Sequence, residues 1–156
     1  MKKQKFKITT AYLYNVYNLD KYEKTFNKTV AAIRKFKKSN PFDAIAFSGT
    51  SGAALAYPLS LKLKVPLICV HKYKTHSSLS IEGVCFPNKY IIVDDLIESG
   101  STIKRIIKKI KIYHEEFKAF KLVSSQKGPE PVGIVLYNRN YSLYQSKFNN
   151  IPIIKI

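Results

Sequence analysis

Apolar and polar positions along the chain switch between a period of two and a period of about 3.6. From Ala11 to Asn18 (AYLYNVYN) they alternate as in a half-buried strand. Asp20 with Glu23 then reads as a capping box opening a helix that carries Tyr22, Phe26, Val30, Ile33 and Phe36 on one face, ended by Asn40 and Pro41. Ala44 to Phe47 (AIAF) is a short buried strand, stopped by the small polar cluster SGTSG. The segment AALAYPLSLKL predicts a helix packed on the sheet, with a kink at Pro58. Val65 to Val70 is a further apolar run. The polar stretch HKYKTHSSLSIEG behind it predicts an exposed, mobile loop. Tyr90 to Val93 is a continuous apolar strand, and from about Ser101 the residues Ile103, Ile106, Ile107 and Ile110 recur at helical spacing. Two more strands are predicted, Phe120 to Val123 and Val132 to Tyr137, separated by the turn-rich QKGPEP.

Strands that alternate with helices predict an α/β fold: a single domain over residues 1–156, with a mostly parallel central sheet flanked by helices. Ligands of such sheets bind beyond the carboxyl ends of the strands, so SGTSG, HKYKTHSS and DDLIESGST should converge on one site. A chain of 156 residues has room for one core and no more.

Composition narrows the setting. No run approaches the roughly 18 to 20 apolar residues of a membrane span, and the polar start MKKQKFKITT has no apolar signal-peptide core behind it. The chain therefore reads as soluble and cytoplasmic, without a membrane partner. Cys69 and Cys85 lack metal-ligand spacing and read as buried thiols in a reducing compartment. His114, beside Glu115 and Glu116, reads as a surface residue.

A formal charge of +17 raises the question of nucleic acid, since clustered cations release counterions from phosphate backbones. Arg34, Arg105 and Arg139 are the chain's arginines; the other cations are lysines spread along the sequence, amid abundant Ile, Asn and Tyr. That distribution fits the codon usage of an AT-rich genome better than a dedicated polyanion surface, so nucleic acid is a possible partner but not the favoured one.

The chemistry concentrates at Asp94 and Asp95. Two adjacent carboxylates end an apolar strand, and Ser99, Gly100, Ser101 and Thr102 follow at the opening of a helix. Adjacent carboxylates repel, and a cation or several hydroxyl donors relieve them. The helix N-terminus behind them offers free N–H groups to a phosphate. A ribose phosphate answers both demands.

The run IIVDDLIESGST, a hydrophobic strand, Asp-Asp, two apolar residues, a variable residue and then Ser/Thr-Gly-x-Thr, resembles without a gap the binding motif of type I phosphoribosyltransferases. The resemblance implies that Asp94 and Asp95 hold the ribose 2′ and 3′ hydroxyls of 5-phosphoribosyl 1-diphosphate, and, directly or through water, a Mg²⁺ ion. Glu98, Ser99, Gly100, Ser101 and Thr102 would wrap the 5′-phosphate. Upstream, FSGTSGAALAYPLSLKLKVPLICVHK matches the family's pyrophosphate loop and the helix and strand after it. Thr50, Ser51 and Gly52 stand at the loop, without the Lys or Arg that many members carry there. HKYKTHSS resembles the flexible catalytic loop of orotate phosphoribosyltransferases, with Lys72, Lys74 and His76 as the residues that would close over the leaving pyrophosphate, the lysines spaced one residue closer.

The implied reaction is Mg²⁺-dependent displacement of pyrophosphate from the anomeric carbon by a ring nitrogen of a nucleobase. Glu98 stands where enzymes acting on 6-oxopurines carry a carboxylate able to take a proton, whereas the Lys/His loop points to orotate. Glu98 has the greater weight because the gap-free motif fixes its position. The base would sit under a small hood from the chain ends, with Tyr137, Asn138 and Arg139 as candidate contacts and Tyr141 and Tyr144 as further stacking candidates. The family also implies a homodimer. Two alternatives stay open: a regulator that keeps the ligand site and binds nucleic acid, and a nucleotide binder that does not catalyse transfer.

Overall fold

The computed structural model describes residues 13–73, 80–84, 86–120, 127–138, 146–154 and 156. The described elements run α1 (Tyr14–Tyr17), α2 (Leu19–Ser39), β1 (Ala44–Phe47), α3 (Gly49–Leu63), β2 (Leu67–Val70), β3 (Ile81–Gly83), β4 (Lys89–Asp94), α4 (Ser101–Ala119), β5 (Glu130–Leu136), β6 (Lys147–Phe148) and β7 (Ile151–Ile154). They form one seven-stranded sheet in the order β3-β2-β1-β4-β5-β7-β6. The five inner strands are parallel, and β3 and β6 close the edges antiparallel. This is the mostly parallel α/β sheet that the alternation of elements predicts.

Side chains alternate across each strand, and the central strands β1 and β4 are buried on both faces. Ala44, Ala46, Tyr90, Ile92, Ile134 and Leu136 turn to one face, where α4 packs through Ile103, Ile106 and Ile110. Ile45, Phe47, Ile91, Val93 and Val135 turn to the other, covered by Val30 and Ile33 of α2 and by Leu55, Ala56 and Leu59 of α3. Pro58 lies within α3, and the helix runs through it. Proline cannot donate to the carbonyl four residues back, that of Ala54. The Tyr22 hydroxyl of α2 donates to that carbonyl at 3.0 Å, satisfying it and tying the two helices together.

Several expectations need correction. The strand predicted for Ala11–Asn18 is absent: residues 11 and 12 lie outside the described residues, and Tyr14–Tyr17 is a helical turn. Leu13 and Val16, three apart, pack together on the α2–α3 side of the core, a spacing that shares a face in a helix but not in a strand. The α2 cap is Asn18, whose side chain accepts from Lys21 N at 3.1 Å, with Asp20 inside the first turn. The stretch after β2 is not wholly loop, because Ile81–Gly83 returns antiparallel on β2 and buries Ile81.

His114 is buried, 3% exposed, because it continues the Ile103, Ile106, Ile110 stripe by one more turn of α4. Cys69 is only half-buried, and its thiol is pushed up by burial and by the Glu82 charge. Cys85 lies outside the described residues, as does the predicted strand beyond Phe120, which itself is the exposed C-cap of α4. No hood appears among the described residues: α2 covers a sheet face and β6 and β7 extend the sheet. No described helix is long and apolar enough to cross a membrane.

Candidate functional site

From β1 the chain crosses through α3 to β2 on one side, and from β4 it crosses through α4 to β5 on the other. The two crossover helices therefore lie on opposite faces, and their N-termini open away from each other at the carboxyl ends of β1 and β4. That gap is the topological switch point at which open α/β sheets bind ligands.

On the β1 side, SGTSG is not a loop but a strand end and the first turn of α3, which starts at Gly49 (φ 71°) after the extended Ser48. The turn leaves its first N–H groups without helical partners. Gly52 has a packing role. A Cβ there would lie 2.8 Å from the Val93 carbonyl oxygen and 2.9 Å from Phe47 Cβ, so only glycine lets α3 start this close to the sheet. Thr50 is exposed, and Ser51 faces the gap.

On the β4 side, Asp94 is buried at the strand end. Its Oδ1 accepts from Ser51 Oγ at 3.0 Å and from the Asp95 backbone N–H at 3.0 Å. Burial, reinforced by the neighbouring Asp95 carboxylate, pushes the Asp94 carboxyl up to about 7, against the opposing pull of the hydrogen bonds from the Asp95 N–H and Ser51. Ile97 anchors the following loop in the core. Ser99 Oγ then accepts from Ser101 N at 3.3 Å, a side-chain turn that shapes the entry to α4. Gly100 caps the helix in the left-handed region at φ 73°.

A cavity of about 500 Å³ lies between these parts. Asp94, Asp95 and Ser51 line it, facing the run Glu98, Ser99, Gly100, Ser101 and Thr102, and Lys72 from the end of β2 completes it. Carboxylates thus stand against a helix N-terminus, the arrangement for a ligand with hydroxyls or a cation at one end and phosphate at the other.

No family model matches the sequence, and no curated protein matches it. Solved structures do match. Orotate phosphoribosyltransferase from Aeropyrum pernix superposes with a TM-score of 0.54 at 16% identity, over 76% of this chain and 59% of that one. Adenine phosphoribosyltransferase from Thermoanaerobacter pseudethanolicus gives 0.52 at 21% identity, over 76% and 70%. A phosphoribosyltransferase from Corynebacterium diphtheriae gives 0.52 at 16%, over 71% and 63%. The chain has the type I phosphoribosyltransferase fold. It spans less than two thirds of the length of the Aeropyrum and Corynebacterium proteins.

Within this phosphoribosyltransferase fold the end of β5 braces the site from behind. Tyr137 is 6% exposed, and its hydroxyl donates to the Ser51 carbonyl at 2.7 Å. Burial, then the Asp95 and Asp94 charges, raise its pKa, so it stays a neutral donor. Asn138 is also buried, and its backbone N–H donates to the Asp95 carbonyl at 2.7 Å. These two residues, candidates for base contact in the sequence, serve here as supports beneath the carboxylates. Lys74, His76, Arg139, Tyr141 and Tyr144 lie outside the described residues.

Two residues went unnoticed in the sequence. Phe148 of β6 packs against Gly100, where a Cβ would come within 2.3 Å of its ring, so the C-terminal ribbon fixes how close the turn before α4 lies to the sheet. Arg105 of α4 reaches both Ser48 and Thr102, at 3.4 Å each. For Phe148 no local signal existed. For Arg105 there was one, an arginine kept where the chain otherwise uses lysine.

Proposed function

We propose that this protein transfers the phosphoribosyl group of 5-phosphoribosyl 1-diphosphate to a nucleobase, releasing pyrophosphate. The observation that carries the reading is the Asp94–Asp95 pair facing the Glu98–Thr102 turn across one cavity at the sheet's switch point. The carboxylates accept hydrogen bonds from the ribose hydroxyls. The N–H groups and hydroxyls of Ser99 to Thr102 bind the 5′-phosphate, and the first turn of α3 with Ser51 receives the diphosphate. Lys72 offsets the charge that gathers on the leaving pyrophosphate.

The donor set fits Mg²⁺. Among the described residues no group of three or more His, Cys, Asp or Glu could cage a metal. Mg²⁺, however, binds through one or two carboxylates with waters and substrate phosphates. Burial, then the Asp95 charge, push the Asp94 carboxyl up, and a cation beside the pair would favour its ionised form. When bound, the ion would neutralise the diphosphate and orient it for departure.

Glu98 is exposed and lines the same cavity, so its carboxylate can take a proton from the attacking ring nitrogen. This favours a 6-oxopurine. The structural neighbours are named for orotate in one case and adenine in another, and do not choose the base.

The test is pyrophosphate release from 5-phosphoribosyl 1-diphosphate and Mg²⁺ with hypoxanthine, guanine, xanthine, adenine, uracil and orotate in turn. Release with a 6-oxopurine alone supports the full reading. Release with another base keeps the transferase and removes Glu98 as the selector. No release with any base, beside retained binding of the diphosphate, replaces catalysis with ligand sensing or sequestration.

A further inference from the structure

The charges lining the cavity do not suit the ligand proposed for it. Asp94, Asp95 and Glu98 face it with Lys72 as the only cation among the described lining residues, and the Ser48–Gly52 segment is uncharged. A phosphate and a diphosphate bring several more negative charges. Mg²⁺ offsets part of them, and the field of distant surface lysines is screened within about 10 Å of water at ordinary ionic strength. A cation held inside the protein is screened far less.

Arg105 is such a cation. It is half-buried on α4, and its Nη2 donates to Ser48 Oγ and to Thr102 Oγ1, both at 3.4 Å. Ser48 Oγ gives its own proton to the Val70 carbonyl at 2.6 Å, so its lone pairs are left to face the guanidinium. Arg105 Nε is buried with no hydrogen-bond partner, and no carboxylate of the described residues forms an ion pair with the side chain. An unpaired, part-buried guanidinium is costly to keep. It becomes favourable when an anion answers it.

The position says which anion. Ser48 caps α3, beside the turn that would receive the diphosphate, and Thr102 lies in the cavity wall. Arg105 bridges the two from behind the wall. A planar, permanently charged fork can span two hydroxyls in a way a lysine cannot, and this is one of three arginines among 27 basic residues.

We infer that Arg105 is a positioning residue for the diphosphate end of the ligand, holding Ser48 and Thr102 in register and supplying the buried positive charge that the α3 turn lacks. The inference rests on the proposed reading of the cavity.

Inorganic pyrophosphate with Mg²⁺, and separately ribose 5-phosphate, are titrated by calorimetry into wild type, Arg105→Gln, Arg105→Met and Arg105→Lys. Removing the charge weakens pyrophosphate by about 10- to 100-fold, the worth of a charged hydrogen bond, and weakens ribose 5-phosphate, whose phosphate site shares only Thr102 with Arg105, by a clearly smaller factor. The lysine variant restores the charge but not the fork across Ser48 and Thr102, so it recovers only part of the loss. Met keeps the buried stem, so it carries the measurement where Gln fails to fold. Unchanged pyrophosphate affinity in the folded neutral variants overturns the inference, as does an equal loss of both ligands, the mark of a purely structural residue. Wild type that binds neither ligand overturns the reading of the cavity itself, and the inference with it.

Discussion

Ser51 Oγ donates to Asp94 Oδ1 at 3.0 Å, joining the first turn of α3 to the end of β4 across the switch point. The bond favours the ionised form of a carboxyl that burial pushes the other way.

Ser51→Ala should therefore shift the acid limb of the pH–activity profile to higher pH, because the Asp94 carboxyl loses a donor to its charged form. At pH 7 the variant should lose about 10-fold in kcat/KM, in line with a hydrogen bond to a charged group. A pH–rate series on both proteins checks this, and an unshifted limb contradicts it.

The unliganded protein keeps Asp94 at a cost that depends on pH. Its folded pKa, about 7, lies above the ordinary 3.8, so the folded state binds the extra proton between those values. The site's contribution to stability is intact below about pH 4 and is lost as pH rises through about 7. Asp94→Asn should accordingly stabilise the apo protein by on the order of 1–3 kcal/mol at pH 8 and by little at pH 4, while ending ligand binding. Urea unfolding at the two pH values measures the difference.

Gly100→Ala meets two obstacles together: a left-handed φ of 73° and the Phe148 ring within 2.3 Å of the new Cβ. The expected loss is about 2–4 kcal/mol, with a raised KM for the phosphoribosyl donor as the loop shifts. Adding Phe148→Leu should return part of the stability by thermal unfolding.

Glu98→Gln separates the base from the donor. Removing a general base lowers the rate by roughly 10²- to 10⁴-fold for an acceptor that must give up a ring proton. The KM for the donor should stay within about 3-fold, because N–H groups and hydroxyls, not this side chain, hold the phosphate. Steady-state kinetics with a 6-oxopurine separates the two effects.

The legible parts of the chain were those whose signal is local. IIVDD followed by ESGST states strand, carboxylates and helix start within one short window, and both the Asp94–Thr102 wall and the start of α4 at Ser101 follow from it. Gly52 and Tyr137 were singled out for ligand contact, and each also has a packing role that the sequence did not show. Their neighbours, Val93 and Phe47 for one and the Ser51 carbonyl for the other, come from elsewhere in the chain, and packing against them decides the role. Gly100 on Phe148 and Arg105 on Ser48 are pairings of the same kind. The α1 turn was misread because so short a stretch offers few positions to fix a period, although Leu13 and Val16, three apart, share a face only in a helix, and His114 because two glutamates beside it masked its place on the apolar stripe.

The most direct test of the central claim is a calorimetric titration of 5-phosphoribosyl 1-diphosphate with Mg²⁺ into wild type and into the double variant Asp94→Asn, Asp95→Asn. The account predicts saturable one-to-one binding by the wild type and at least about 100-fold weaker binding by the folded double variant, as two charged contacts are lost. Equal binding by both proteins, or none by the wild type, would contradict it.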